Sequence, residues 1–365
     1  MVIKADRVSR GVNHRKKSGL NAGVCLLLQG LLVLGVLLPA RARQAEIKTV
    51  SPENDALQQA RSLLRQGKVD EAEHIVRQYA NSQPESAEAH YLLGFILFRA
   101  IQGHAALEGA SEGAQYNELD PGLAEFAKKR AEESLAEYTA GARYSKPSAA
   151  DLKIVALDYI VLGDFPDADK WLTRSLEWNP QDAEGWYQLG RTKYNENRFQ
   201  EAIEAFERCL KLEPKNLKAE DNLGLAYEGL GRVDQAIAAY QKAIEWESES
   251  GTAETPTGAS AGPYLDLGSL LLDQNRPQDA LAHLQRAAEI APREARVHEK
   301  LGKAYAEVNQ LPEAQKELEE AVKLSPKNGR LHFMLGQVYR KQGLTEKAKA
   351  EMQLSGTLDG VRSIQ

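Results

Sequence analysis

Cysteine is almost absent from this chain: two residues among 365, Cys25 and Cys209. A disulfide-stapled fold is therefore excluded, as is any CxxC metal or redox pair. Aromatic residues make up only 7%. No Gly-rich phosphate cradle, HExxH or Ser or Cys nucleophile motif occurs, so no catalytic chemistry announces itself. A basic stripe is missing too. The net charge is -6 overall. Residues 1–42 carry seven Lys or Arg against Asp6, which makes them +6 and the remainder -12. A phosphate backbone would find little to hold on the remainder, which argues against nucleic acid. Long apolar runs are lacking except at one place, residues 18–40.

That run follows a basic stretch and ends in Ala40-Arg41-Ala42, a small-x-small site. The pattern predicts a bacterial-type secretory signal over 1–42, cut after Ala42. The alternative is an uncleaved anchor, because 23 uncharged residues can span a bilayer. Either reading puts the rest outside the cytoplasm, periplasmic or secreted, or held at the inner membrane. A polar segment over 43–52 follows.

What the remainder does contain is one grammar, repeated. Residues 183–216 read AEGWYQLGRTKYNENRFQEAIEAFERCLKLEPKN. Trp186, Leu189, Gly190, Lys193 and Tyr194 fall on one face of a first helix. Phe199, Ala202, Ile203, Phe206 and Leu210 fall on one face of a second. Pro214 closes it, because proline cannot continue the backbone ladder. Glycine recurs at Gly190, Gly224, Gly268, Gly302 and Gly336, and alanine at Ala168, Ala202, Ala236, Ala280, Ala314 and Ala348. These small columns are expected where the two helices cross. The turn between helices reads Gly67, Gly163, Asn197, Gly231, Asn275, Asn309 and Gly343. Gly and Asn are the residues that enter the left-handed region at least cost.

Trp186, Leu189, Gly190, Ala202, Phe206 and Pro214 resemble the 34-residue pattern of the tetratricopeptide repeat family. The resemblance covers roughly residues 53–358 and about eight units. It implies an all-α fold, a right-handed α-solenoid of stacked antiparallel helix pairs. Insertions are expected at 101–123 and 247–260, with a tail over 359–365. Cys209 sits at a small buried position of its repeat and reads as a packing thiol.

In this family the first helices line a concave groove that holds a partner peptide or helix. Carried onto this chain, the groove positions include Tyr91, Phe95, Phe98, Leu157, Tyr187, Arg191, Tyr194, Lys303, Phe333 and Arg340, with Leu265 and Leu272 in the sixth unit. Asn222 matches one place of the family's carboxylate clamp, but Tyr187, Arg191 and Gly262 leave that clamp incomplete. The expected function is a non-enzymatic interaction scaffold with a protein or peptide partner and no cofactor. Two alternatives stand beside it: a structural subunit of a cell-envelope assembly, and an accessory subunit of a separately encoded enzyme. His90, His298 and His332 share the column of Trp186. They read as amphipathic packing residues, and no metal site is expected.

Overall fold

The computed structural model describes residues 52–107, 121–249 and 260–362. Residues 1–51 lie outside them, so the expected signal or anchor over 1–42, its cleavage site and all of the polar segment 43–52 except Pro52 are not described. The described residues form sixteen α-helices and no strand. They run as eight antiparallel pairs: α1 (Pro52–Arg65) with α2 (Val69–Ser82), α3 (Ala87–Leu107) with α4 (Pro121–Gly141), α5 (Ala149–Val161) with α6 (Phe165–Trp178), and α7 (Ala183–Asn195) with α8 (Phe199–Leu212). Then come α9 (Leu217–Gly229) with α10 (Val233–Glu249), α11 (Gly262–Asp273) with α12 (Pro277–Ile290), α13 (Ala295–Glu307) with α14 (Leu311–Leu324), and α15 (Gly329–Lys341) with α16 (Thr345–Arg362). Each helix packs on the next in sequence, which makes the array a solenoid.

Every turn residue of the Gly/Asn column has positive φ, from 57° at Asn275 to 76° at Gly67 and Gly343. In the fourth unit the Arg198 N–H reaches the Lys193 carbonyl at 2.9 Å, and the Asn197 N–H reaches Tyr194 at 2.9 Å. That pair of bonds ends α7 and turns the chain into α8. The second unit lacks the turn residue. There α3 continues through Leu107, two turns past Ile101, and α4 begins at Pro121. Part of the expected insertion is therefore helix. So is the start of the expected tail, since α16 reaches Arg362.

The small columns work differently from the expectation. Glycine of the first helix does not face alanine of the second. It faces the large residue one turn further on. A Cβ on Gly190 would lie 2.5 Å from the Phe206 ring, and Gly268 and Gly302 face Leu284 and Leu318 in the same way. Ala202, Ala236, Ala280 and Ala314 are wholly buried.

The histidine column fastens the joints between units. His90, His298 and His332 each place Nε2 2.9 to 3.0 Å from the carbonyl of a preceding proline: Pro84, Pro292 and Pro326. Trp186 donates Nε1–H to Pro180 in the same manner, at 3.0 Å. The histidines add a second contact. Nδ1 lies 2.6 to 2.7 Å from Glu137, Glu317 and Glu351 on the paired second helix.

Candidate protein-binding face

Successive first helices touch one another directly: α3 with α5, α7 with α9, α9 with α11, α11 with α13, and α13 with α15. Among the described residues no two successive second helices approach as closely. The first helices therefore form the inner layer, and its character changes along the array.

At the N-terminal end, α1, α3 and α5 bound a cleft of 770 Å³. Tyr91, Leu92, Phe95 and Ile154 give it an apolar wall, and Arg61 and Lys153 stand at its rim. Both cations are engaged, Arg61 with Glu88 at 2.8 Å and Lys153 with Asp182 at 2.7 Å. Tyr91 stacks on Tyr138, with centroids 5.8 Å apart. Its hydroxyl donates to the Ser145 carbonyl, which fixes the ring. The Tyr138 hydroxyl is buried with no partner. Burial, with Asp151 and Asp158 nearby, holds that phenol above its ordinary range.

One expected groove residue of this region is core instead, and a second is partly covered. Phe98 is 4% exposed and packs with Ile101, Ala127 and Ala131. The reason is the lengthened second unit, which lays α4 along the far half of α3. Leu157 is half-buried against the same cluster.

The middle of the layer departs furthest from expectation. Tyr187 is 8% exposed, tilted onto Phe206 at 6.1 Å, with the Arg191 guanidinium 5.9 Å above its ring. Its register is right, but it fills the space over Phe206 and belongs to the core. Tyr194 is half-buried, edge-on to Phe199 at 5.4 Å. Leu265 and Leu272 are buried as well. Asn222 turns back on its own helix and donates one of its two amide hydrogens to the Lys218 carbonyl at 2.8 Å.

Carboxylates that the sequence reading passed over sit here. Asp221, Glu228 and Asp266 are all raised by burial, Asp221 with Asp266 beside it. Asp266 meets Arg296 at 3.2 Å, and Glu228 accepts from the Tyr240 hydroxyl at 2.5 Å. Asp221 and Glu228 hold the same repeat places as Tyr187 and Tyr194, one unit on. Extending that register by 34 residues would have found them.

At the C-terminal end, α13 and α15 bound a second cleft of 330 Å³. Ala306, Met334 and Val338 form its floor, with Phe333, Lys303 and Lys341 around it. Phe333 is 47% exposed. Arg340 is exposed beside Lys341.

Among the described residues no three His, Cys, Asp or Glu side chains converge as metal ligands. Nor is any described helix long and apolar enough to cross a membrane.

An array of this kind, with an inner layer of first helices and no sheet, defines a protein-interaction scaffold. The chain belongs to the tetratricopeptide repeat family. Its family model matches residues 57–110, 156–216, 187–251 and 299–353, together more than half of the chain, and a second model of the same repeat matches 271–323. Comparison with curated protein sequences returns no significant match. Solved structures with a similar arrangement include YrrB, a TPR protein with an unusual peptide-binding site (20% identity, 51% of this chain and 91% of that one, TM-score 0.42). PilW, a type IV pilus biogenesis factor, is 17% identical over 57% of this chain and 91% of its own, with TM-score 0.49. A chain of the APC/C hetero-tetramer Cut9-Hcn1 is 14% identical over 84% of this chain and 73% of its own, with TM-score 0.49.

Proposed function

We propose that the inner layer holds an extended or helical segment of a partner protein, seated in the cleft between α1, α3 and α5. The observation that supports this is the apolar wall of Tyr91, Leu92, Phe95 and Ile154 lining 770 Å³ of open space. Apolar surface left open in a concave site is where burial yields most on binding, ~25 cal/mol per Å² before ordering costs. The protein acts without catalysis of its own. Membership of the tetratricopeptide repeat family, a fold of binding scaffolds, supports that reading.

The test is photo-cross-linking in the native host. A benzoylphenylalanine at position 95 should capture a discrete partner peptide. The same probe at Glu204, on the exposed side of α8, should not. Cross-links from 204 alone would overturn the reading.

We also propose that the protein is exported. The basic 1–17 stretch, the uncharged 18–40 run and Ala40-Arg41-Ala42 support it. Mass spectrometry of the protein from its host should find an N-terminus at Arg43. Full-length protein in the membrane fraction would replace cleavage with anchoring.

A further inference from the structure

We infer that the C-terminal cleft between α13 and α15 receives an acidic segment of a partner protein, anchored by one bulky apolar side chain. This rests on the reading of the inner layer as a binding face, but it uses different helices and different chemistry from the N-terminal cleft.

Charge carries the first part. Helix α15 contains Arg330, Arg340 and Lys341 and no acidic residue, in a chain that is -12 beyond its leader. Lys303 of α13 joins Arg330 and Lys341 in lining the cleft, and Arg340 is exposed next to Lys341 in the chain. The carboxylates nearest Lys303, Asp273 at 3.6 Å and Glu307 at 3.8 Å, are too far for a direct hydrogen bond. Lys341 reaches only the Ala306 carbonyl, at 3.4 Å. Arg340 has no partner among the described residues. Cations so loosely held give up little when a carboxylate arrives.

Shape carries the second part. Phe333 holds the fifth place of its unit, where Tyr187 and Leu265 lie buried in theirs, yet it is 47% exposed. With Ala306, Met334 and Val338 it leaves an apolar floor beneath the cationic rim. Phenylalanine on an open floor, ringed by Lys and Arg, matches an apolar anchor flanked by carboxylates.

A nucleic acid fits less well. Glu299 pairs with Arg330 at 3.3 Å and Glu307 stands on the same rim. The basic path is therefore interrupted, whereas a phosphate backbone needs a continuous one.

The experiment measures anisotropy of fluorescein-labelled peptides with the whole mature chain. One peptide sets Asp and Glu around a central Phe, a second replaces the acids by Ser, and a third by Lys. Oligothymidine is the fourth probe. The acidic peptide should bind best, and more weakly at high salt. Arg340→Glu with Lys341→Glu should weaken it about tenfold, and Phe333→Ser comparably, with melting unchanged. Phe95→Ser should leave it intact. Equal binding of the Ser peptide, indifference to the charge reversal, or tighter binding of oligothymidine would each overturn the inference. Should the acidic peptide fail while cross-links from position 95 persist, this inference falls and the N-terminal reading stands. Should the cross-links fail while the charge reversal abolishes peptide binding, the opposite holds.

Discussion

His332 and Glu351 meet at 2.6 Å across the α15–α16 pair, while the other ring nitrogen of His332 lies 2.9 Å from the Pro326 carbonyl. An imidazole with an acceptor on each nitrogen needs a hydrogen on each, so this geometry suits the charged ring. Burial pulls the His332 pKa down, but the Glu351 carboxylate and the Pro326 carbonyl together outweigh it and raise it above the ordinary value. His90 is raised in the same way, with Glu137 and Pro84 outweighing burial and the opposing charge of Arg143.

A folded-state pKa above the unfolded one gives stability that is present below about pH 6.5 and lost as pH rises through the folded value. Thermal melting should therefore drop between mildly acidic and mildly alkaline buffer. His332→Gln should flatten that slope, and His90→Gln should flatten it further. His283, lowered by burial, contributes the opposite slope in the native protein, so the variants decide: an unchanged slope in both would contradict the assignment.

Much of this architecture is legible in the residues. The Gly/Asn turn column marks seven of the eight helix turns, because positive φ leaves so few residue types able to serve. Helix pairing follows from it. The packing partner of each column is harder to read. Glycine at Gly190 signals a close approach but not what approaches, and the answer is the Phe206 ring rather than Ala202. Depth is harder still. Tyr187 and Phe333 hold the same place in their units, and one is buried while the other stands open. Tyr187 has the Phe206 ring to lie on and shares its cluster with Ala219 and Leu223 of the next unit. Phe98 was hidden by a different cause, the lengthening of α3 and α4, which no repeat register contains.

Gly190→Ala tests the column directly. Its Cβ would stand 2.5 Å from a ring that is wholly buried and has no space to retreat into. Overpacking of this kind costs ~1–3 kcal/mol. The loss should appear in urea unfolding of the whole array, since neighbouring units share the interface. Gly356→Ala, where nothing lies within 4 Å, is the matched control and should cost nothing measurable.

Asp158 offers a prediction of opposite sign. It is wholly buried on α5, with Oδ2 2.6 Å from Ser134 Oγ, which lies 3.0 Å from the Gly94 carbonyl. One hydroxyl hydrogen cannot serve both acceptors. If Ser134 gives it to Gly94, the carboxyl must carry its own proton and donate. Burial, only partly opposed by Ser134, indeed pushes the Asp158 pKa well above the usual range. An acid held protonated in the folded chain costs stability as pH climbs above its unfolded value near 4. Asp158→Asn, which keeps the shape and the donor, should raise the melting temperature at neutral pH and gain little near pH 4. Equal effects at both would mean that the carboxyl is ionised in place.

Tyr187 and Arg191 separate core from binding face within a single helix. The Tyr187 ring is buried against Phe206, and its removal leaves a cavity in the middle of the array. Truncating a buried aromatic costs ~3–5 kcal/mol. Tyr187→Ala should thus lower the urea midpoint strongly, whatever it does to a partner. Arg191 is half-buried over the same ring at 5.9 Å. That contact lies on the accessible side, so Arg191→Ala should cost within ~1 kcal/mol. Tyr187→Phe keeps the ring and should cost less than Arg191→Ala. A strong loss with Tyr187→Phe would assign the stabilisation to the hydroxyl instead of the ring. Near-native stability of Tyr187→Ala would return this residue to the open groove, where its place in the repeat first put it.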